Sequence, residues 1–303
     1  MGRTTSATGF DAIRDALVAL SRQALREPVL VAGAALGFAL AAVAAVVMLV
    51  RGPTIGVEGH VDRAMTFNFA LGLYYLTLAV LVPLAQMGPR LHRAWTVTVA
   101  ALLPLFYGIE NVQVYRGIDP RFTEVGSTLD LAIGGLFGVT ALLQIVLFGT
   151  LAVRWFRRPV EERDRLLLVG VRYGAAAALV AFTAGIGMSV LSGSAVGDRG
   201  DLLLVHALGF HALQAAPLVG WLSSGEARRP GTARRVHVAG IAWLVATLAV
   251  GYQAATGQAS FDLAPANVVA VLGLTVWAGV AVDAARARFT SPPAAPAPSG
   301  ATP

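Results

Sequence analysis

Eight apolar runs divide this chain, and its polar residues gather between them. The runs fall at 28–50, 65–88, 94–114, 129–153, 166–191, 202–222, 236–255 and 266–285. A hydrocarbon core of about 30 Å takes ~20 apolar residues in a helix. Backbone N–H and C=O groups find no water there, so each run is predicted to be helical. The strand-length alternation of an outer-membrane barrel is absent. The expectation is an all-α, polytopic transmembrane helix bundle of about eight spans, occupying residues 28–288.

The flanks read differently. Within residues 1–27, Phe10, Ile13, Leu17, Leu20 and Leu25 recur at helical spacing, with Arg14, Arg22 and Arg26 mostly elsewhere. This is a basic amphipathic helix, lying on the inner membrane surface or leading, solvated, into the first span. Residues 289–303 are Pro/Ala-rich and predicted to be disordered. Gly33 with Gly37, Gly134 with Gly138 and Gly170 with Gly174 have the four-residue spacing of close helix contacts. No convincing four-plus-four repeat shows in the letters.

Composition supports a chain solvated mainly by lipid. Of its 303 residues 56% are hydrophobic and 13% charged, about half the ~25% charged content of soluble domains. There is no room for a sizeable soluble domain. With no cysteine, disulfides, thiolate metal sites, Fe–S clusters and Cys nucleophiles are ruled out.

The net charge of +6 does not signal nucleic acid, because the arginines sit in short clusters between spans. Those clusters orient the chain. With the N-terminus inside, the cytoplasmic segments hold Arg3, Arg14, Arg22, Arg26, then Arg90 and Arg93, the 154–165 and 228–235 clusters, and Arg286 and Arg288. That makes 17 of the 23 arginines, against 5 outside: Arg51, Arg63, Arg116, Arg121 and Arg199. The remaining one, Arg172, is close enough to the inner end of its span to snorkel. The positive-inside rule therefore predicts an even number of spans with both termini cytoplasmic. A bacterial cytoplasmic membrane fits this arrangement and an Ala-, Gly- and Arg-rich composition.

Candidate chemistry lies in the polar residues within spans, which are costly in lipid and face the bundle interior by default. Asn68, Glu110, Asn111, Gln113, Asp130, Asp201, Tyr252 and Gln253 all fall in the extracytoplasmic half. The sixth run goes deepest. From Asp201, a rise of ~1.5 Å per residue places His206 ~7 Å and His211 ~15 Å below the surface, with Gln214 between them in projection across an arc of ~140°. Pro217 frees the carbonyl of Leu213, and Pro83 and Pro104 act similarly in their spans.

The reading is an outward-facing polar pocket floored by His211 and Gln214, with Glu110 as counter-charge to the imidazoles and Asn68, Asn111 and Tyr252 as further lining. The best-fitting activity is small-solute or proton-coupled transport, or sensing, with a small molecule or ion as ligand. The alternatives are satisfied structural histidines in a structural subunit, or a haem- or metal-binding redox protein or enzyme. For a metal, His206 and His211 are the candidate ligands, yet they share one helix and diverge, without the i, i+4 spacing of a zinc helix. A haem between His92 and His237 at the inner surface is a further variant. No phosphate loop, G-x-S-x-G elbow or H-E-x-x-H motif occurs.

Asp201, His206, Gly209, His211, Gln214 and Pro217 together resemble a D-x4-H-x2-G-x-H-x2-Q-x2-P transmembrane motif of uncharacterised bacterial multi-pass membrane proteins. Arg116, Gly117 and Phe122 also fit that family's next pattern, whereas Arg121 and Thr123 stand where it carries His and Asn. The resemblance implies a site but no reaction.

Overall fold

The computed structural model describes residues 9–159, 165–224 and 231–290, and among them are nine α-helices and two short hairpins. Helix α1 (Gly9–Ala24) precedes eight long helices: α2 (Pro28–Arg51), α3 (Val61–Leu81), α4 (Pro89–Tyr115), α5 (Thr128–Arg157), α6 (Arg165–Val190), α7 (Leu202–Ser224), α8 (Thr232–Ala255) and α9 (Pro265–Thr290). Eight are long and apolar enough to cross a membrane, in agreement with the eight runs. The protein is an all-α, multi-pass membrane bundle. Pro83 turns the end of α3 into a 3-10 turn over Val82–Ala85, whereas α4 and α7 run on through Pro104 and Pro217. Helix α9 continues to Thr290, slightly past the expected start of the tail; residues 291–303 lie outside the described part.

The backbone repeats itself, although no convincing four-plus-four repeat shows in the letters. Between α2 and α3, strands β1 (Thr54–Ile55) and β2 (Gly59–His60) form a hairpin; between α6 and α7, β3 (Ala195–Val196) and β4 (Gly200–Asp201) form another. The same backbone bonds fix both. Val61 N donates to Pro53 O at 2.8 Å, as Leu202 N does to Ser194 O at 2.8 Å. Glu58 N donates to Gly117 O at 3.1 Å, as Arg199 N does to Gly257 O at 3.2 Å. Thus the end of the third helix in each half (α4 or α8) closes over that half's hairpin.

Glycine is required at the crossing. A Cβ at Gly59 would collide with Val114 O, and one at Gly200 with Ala254 O. Each half, α2–α5 and α6–α9, has an even number of spans, so the two copies run the same way through the membrane, as in parallel repeats about the membrane normal. Few letters match because backbone spacing is what repeats.

The main core lies between α3, α4, α5, α6 and α7, built from Tyr75, Leu78, Phe106, Phe148, Trp155 and Phe182 among others. The opposite end of the bundle from the hairpins carries the start of α2 and the end of α9. There arginines bind helix-end carbonyls, where a helix dipole favours cations. Arg154 Nε donates to Ala85 O at 3.1 Å and Arg158 Nη1 to Leu84 O at 3.0 Å, closing the end of α3. Arg172 Nε reaches Trp155 O at 2.9 Å, and Arg288 Nη1 reaches Trp221 O at 3.0 Å. Residues read only as orientation signals are therefore helix caps too. Helix α1 rests on the same end through Gln23 Nε2 and Val80 O, 2.6 Å apart, and leaves Ile13, Leu17 and Val18 exposed.

Candidate functional site

Two polar constellations lie within the bundle. The first is at the hairpin end of the first half. Glu110, fully buried, stands five residues before the end of α4, about 8 Å inside it. Arg121 comes down from the α4–α5 loop and bonds it at 2.5 Å. The guanidinium lies between the rings of Phe67 (5.0 Å) and Phe137 (4.9 Å), an arrangement that suits its flat, weakly hydrated cation. The second carboxylate oxygen of Glu110 is buried with no hydrogen-bond partner. Beside it, Asn68 and Asn111 exchange amide bonds at 2.9 and 3.0 Å, joining α3 to α4.

The loop over this pair is tied down at both ends. Asp130 in α5 accepts from Gln113 at 3.1 Å and Arg116 at 2.6 Å, and closes a capping box with Ser127. Glu58 in the first hairpin accepts from the Thr123 hydroxyl (2.5 Å) and from Glu124 N (2.7 Å) and Asp119 N (3.2 Å). Burial pushes the Glu58 carboxyl up, but the hydrogen bonds from Thr123 and from the Glu124, Asp119 and Val125 amides outweigh it and hold the carboxyl below its usual range.

The second constellation is in the middle of the membrane. Tyr75 Oη donates to Gln144 Oε1 and Gln144 Nε2 to Tyr74 Oη, both at 3.1 Å, linking α3 to α5. One turn on, the Gln214 amide of α7 lies 2.8 Å from the Thr77 hydroxyl of α3. With its oxygen turned to that hydroxyl, the Gln214 nitrogen donates to the His211 and Phe210 carbonyls, at 3.1 and 3.3 Å. Tyr75, Gln144 and Gln214 each lie ~18–24 Å from the hairpin end of their helix. The Phe210 ring sits edge-on to Tyr74 (5.8 Å) and Phe182 (4.8 Å). Helices α3 and α5 belong to the first half and α6 and α7 to the second, so these groups lie at the seam between halves.

The structure redistributes the sequence-derived candidates. Asn68, Asn111 and Glu110 do come together, but Glu110 meets Arg121 and not a histidine. His206 is half-buried, its Nδ1 2.9 Å from Ala181 O. His211 is exposed on the same face of α7 as Leu218, which is itself exposed, so this imidazole faces outward from the bundle and does not floor a pocket. Tyr252 is 66% exposed and also lies outside both constellations. Gln214 alone of the α7 candidates joins the seam.

Local packing accounts for much of the α7 motif. Asp201 accepts from Leu203 N at 2.8 Å at the helix start, and a Cβ at Gly209 would press on Ala177 O at 2.6 Å. Among the described residues no group of three or more His, Asp or Glu side chains is placed to hold a metal ion, and His206, His211 and Glu110 form none. His92 instead binds Glu27 at 2.8 Å, and His237 binds the Tyr173 hydroxyl at 3.0 Å. Several residues of the two constellations were missed by sequence reading, among them Arg121, Tyr74, Tyr75, Thr77 and Gln144. Arg121 counted as an outer-loop charge and as a departure from the His of the resembled pattern, not as a partner of Glu110, and Gln144 was an isolated amide in an apolar run. The phenylalanines at 67 and 137 carry no sign of a cation between them. Comparison with known family models, curated proteins and solved structures finds no match to this chain.

Proposed function

We propose that the protein moves a small, uncharged, polar solute across the bacterial cytoplasmic membrane, with both of its termini in the cytoplasm. The solute's groups would exchange with the hydrogen bonds of Tyr74, Tyr75, Thr77, Gln144 and Gln214 at the seam. The observation that carries this reading is the mid-membrane bond between Gln214 and Thr77 beside the Tyr74–Gln144–Tyr75 chain, where two parallel four-helix copies meet. Parallel-repeat transporters place their substrate sites at such a seam near the midplane. Hydroxyls and amides there offer donors and acceptors without net charge, which suits a neutral solute. The positive-inside distribution supports the orientation.

The seam replaces the outward pocket floored by His211 as the working site. A proton-coupled form of the reading runs through half-buried His206. The test is light scattering of proteoliposomes challenged with glycerol or urea. Expected is permeation roughly tenfold above protein-free vesicles, lost in Gln144→Leu and Gln214→Leu. Rates equal to those of empty vesicles for both solutes would count against the reading, and a trapped pH dye in the same vesicles reads the proton-coupled form.

A further inference from the structure

A membrane-facing groove opens between α5 and α6 toward the end away from the hairpins. It encloses about 270 Å³ and is lined by Gly149, Ala152, Val153, Phe156, Arg157 and Leu179, with no polar atom on its wall, so that Arg157 contributes only its aliphatic stem there. Its floor exists because Gly149 and Ala152, three residues apart on α5, project almost nothing. A Cβ built on Gly149 would meet no atom within 4 Å. Val153, Phe156 and Leu179 stand exposed around it. From Gly149 to Arg157 the groove descends ~12 Å along the helix, most of the ~15 Å depth of one leaflet's acyl chains.

Such a hollow in the hydrocarbon region does not hold water, since its walls offer no hydrogen bonds. Arg157 stands at its mouth, where α5 ends. Neighbouring Arg154, Arg158 and Arg172 are all bonded to backbone carbonyls. Arg157 is exposed, and among the described residues it has no hydrogen-bond or ion-pair partner. An apolar slot topped by one uncommitted guanidinium is complementary to a single class of molecule.

We infer that the α5–α6 groove is a binding site for an anionic phospholipid, one acyl chain lying over Gly149 and Ala152 and the phosphate paired with Arg157. The chain fills the slot but gives little selectivity, because lipid tails are as apolar as the groove. The headgroup contact supplies the preference, and one basic side chain near an anionic surface gives roughly fivefold. This site is separate from the proposed seam, and its test does not depend on any transport activity.

Native mass spectrometry of the full-length protein decides it, with equimolar phosphatidylglycerol and phosphatidylcholine of identical chains. The expected result is one tightly retained lipid, about fivefold enriched in phosphatidylglycerol. Arg157→Gln, a surface change, should keep the bound lipid but bring the ratio to about one. Gly149→Leu should fill the slot and release lipid of either headgroup. Equal retention of the two lipids by the unaltered protein, or an unchanged preference in Arg157→Gln, would overturn the assignment.

Discussion

The two hairpin ends share a backbone and differ in what their side chains do with it. In the first half, the α4–α5 loop sends Arg121 inside to a fully buried Glu110, while Glu58 and Asp130 hold the loop's flanks. In the second, Arg199 occupies the position of Glu58 and reaches Asp262 at the surface, the arginine exposed and the carboxylate half-exposed. Gln253, the counterpart of Gln113, bonds the Ala259 carbonyl where Gln113 bonds a carboxylate. The hairpin is thus set by glycines and main-chain bonds, which tolerate either chemistry. Among the described residues, only the first copy's hairpin end buries an ion pair. A buried ion pair is costly to desolvate and is weak evidence for stability, so its presence in one half points to a role the other half lacks.

The sharpest way to break this asymmetry is Arg121→Ala. It leaves Glu110 buried without its cation, and a loss of about 3–5 kcal/mol is expected, read as a large fall in the thermal unfolding midpoint in detergent. Replacing both partners, as in Arg121→Met with Glu110→Leu, should restore most of it. If the double variant is no better than the single, burial of the pair is not the cause.

The shared backbone is tested next. Gly59→Ala and Gly200→Ala should each cost roughly 1–3 kcal/mol through overpacking against a carbonyl, and by similar amounts. A large effect at one glycine and none at the other would argue against equivalent copies.

The hairpin carboxylate gives a pH signature. The folded value of Glu58 lies below its unfolded value near 4.5. Its contribution is therefore present above about pH 4.5 and is lost as pH falls through the folded value. Unfolding midpoints should drop on acidification from pH 5 to pH 3, and less steeply in Glu58→Gln. The same scan on Arg199→Ala should track the unaltered protein. The smallest effect is expected at that second-half pair: Arg199→Ala should cost no more than about 1 kcal/mol, fading at high salt.

Legibility varied with the range of the interaction. That Glu110, Asn68 and Asn111 belong together was readable, because polar groups at one depth in neighbouring spans seek one another. That a loop arginine would be the partner was not, since Arg121 looks like any other flanking charge. His211 shows the converse error. A helix bears polar residues around its circumference, and only the neighbours decide which arc is inside. Helix α7 turns its Gly209 and Ala212 side to α6, with Gln214 toward α3, and this leaves the imidazole on the outer arc. The repeat was missed because it is carried by the spacing of Gly56, Gly59 and Gly117 against Gly197, Gly200 and Gly257, too few letters to see without the bonds between them.

From its residues alone this protein was bound to be a bundle of eight membrane helices. Twenty apolar residues in oil leave the backbone no alternative, and that constraint is local. Which faces meet, that the halves are copies, that Arg121 enters the bundle and that Gln144 and Gln214 share a seam were decided by tertiary structure. Those contacts join residues from 11 to 137 positions apart. Their geometry depends on how closely small residues allow helices to approach, which no single run of sequence contains.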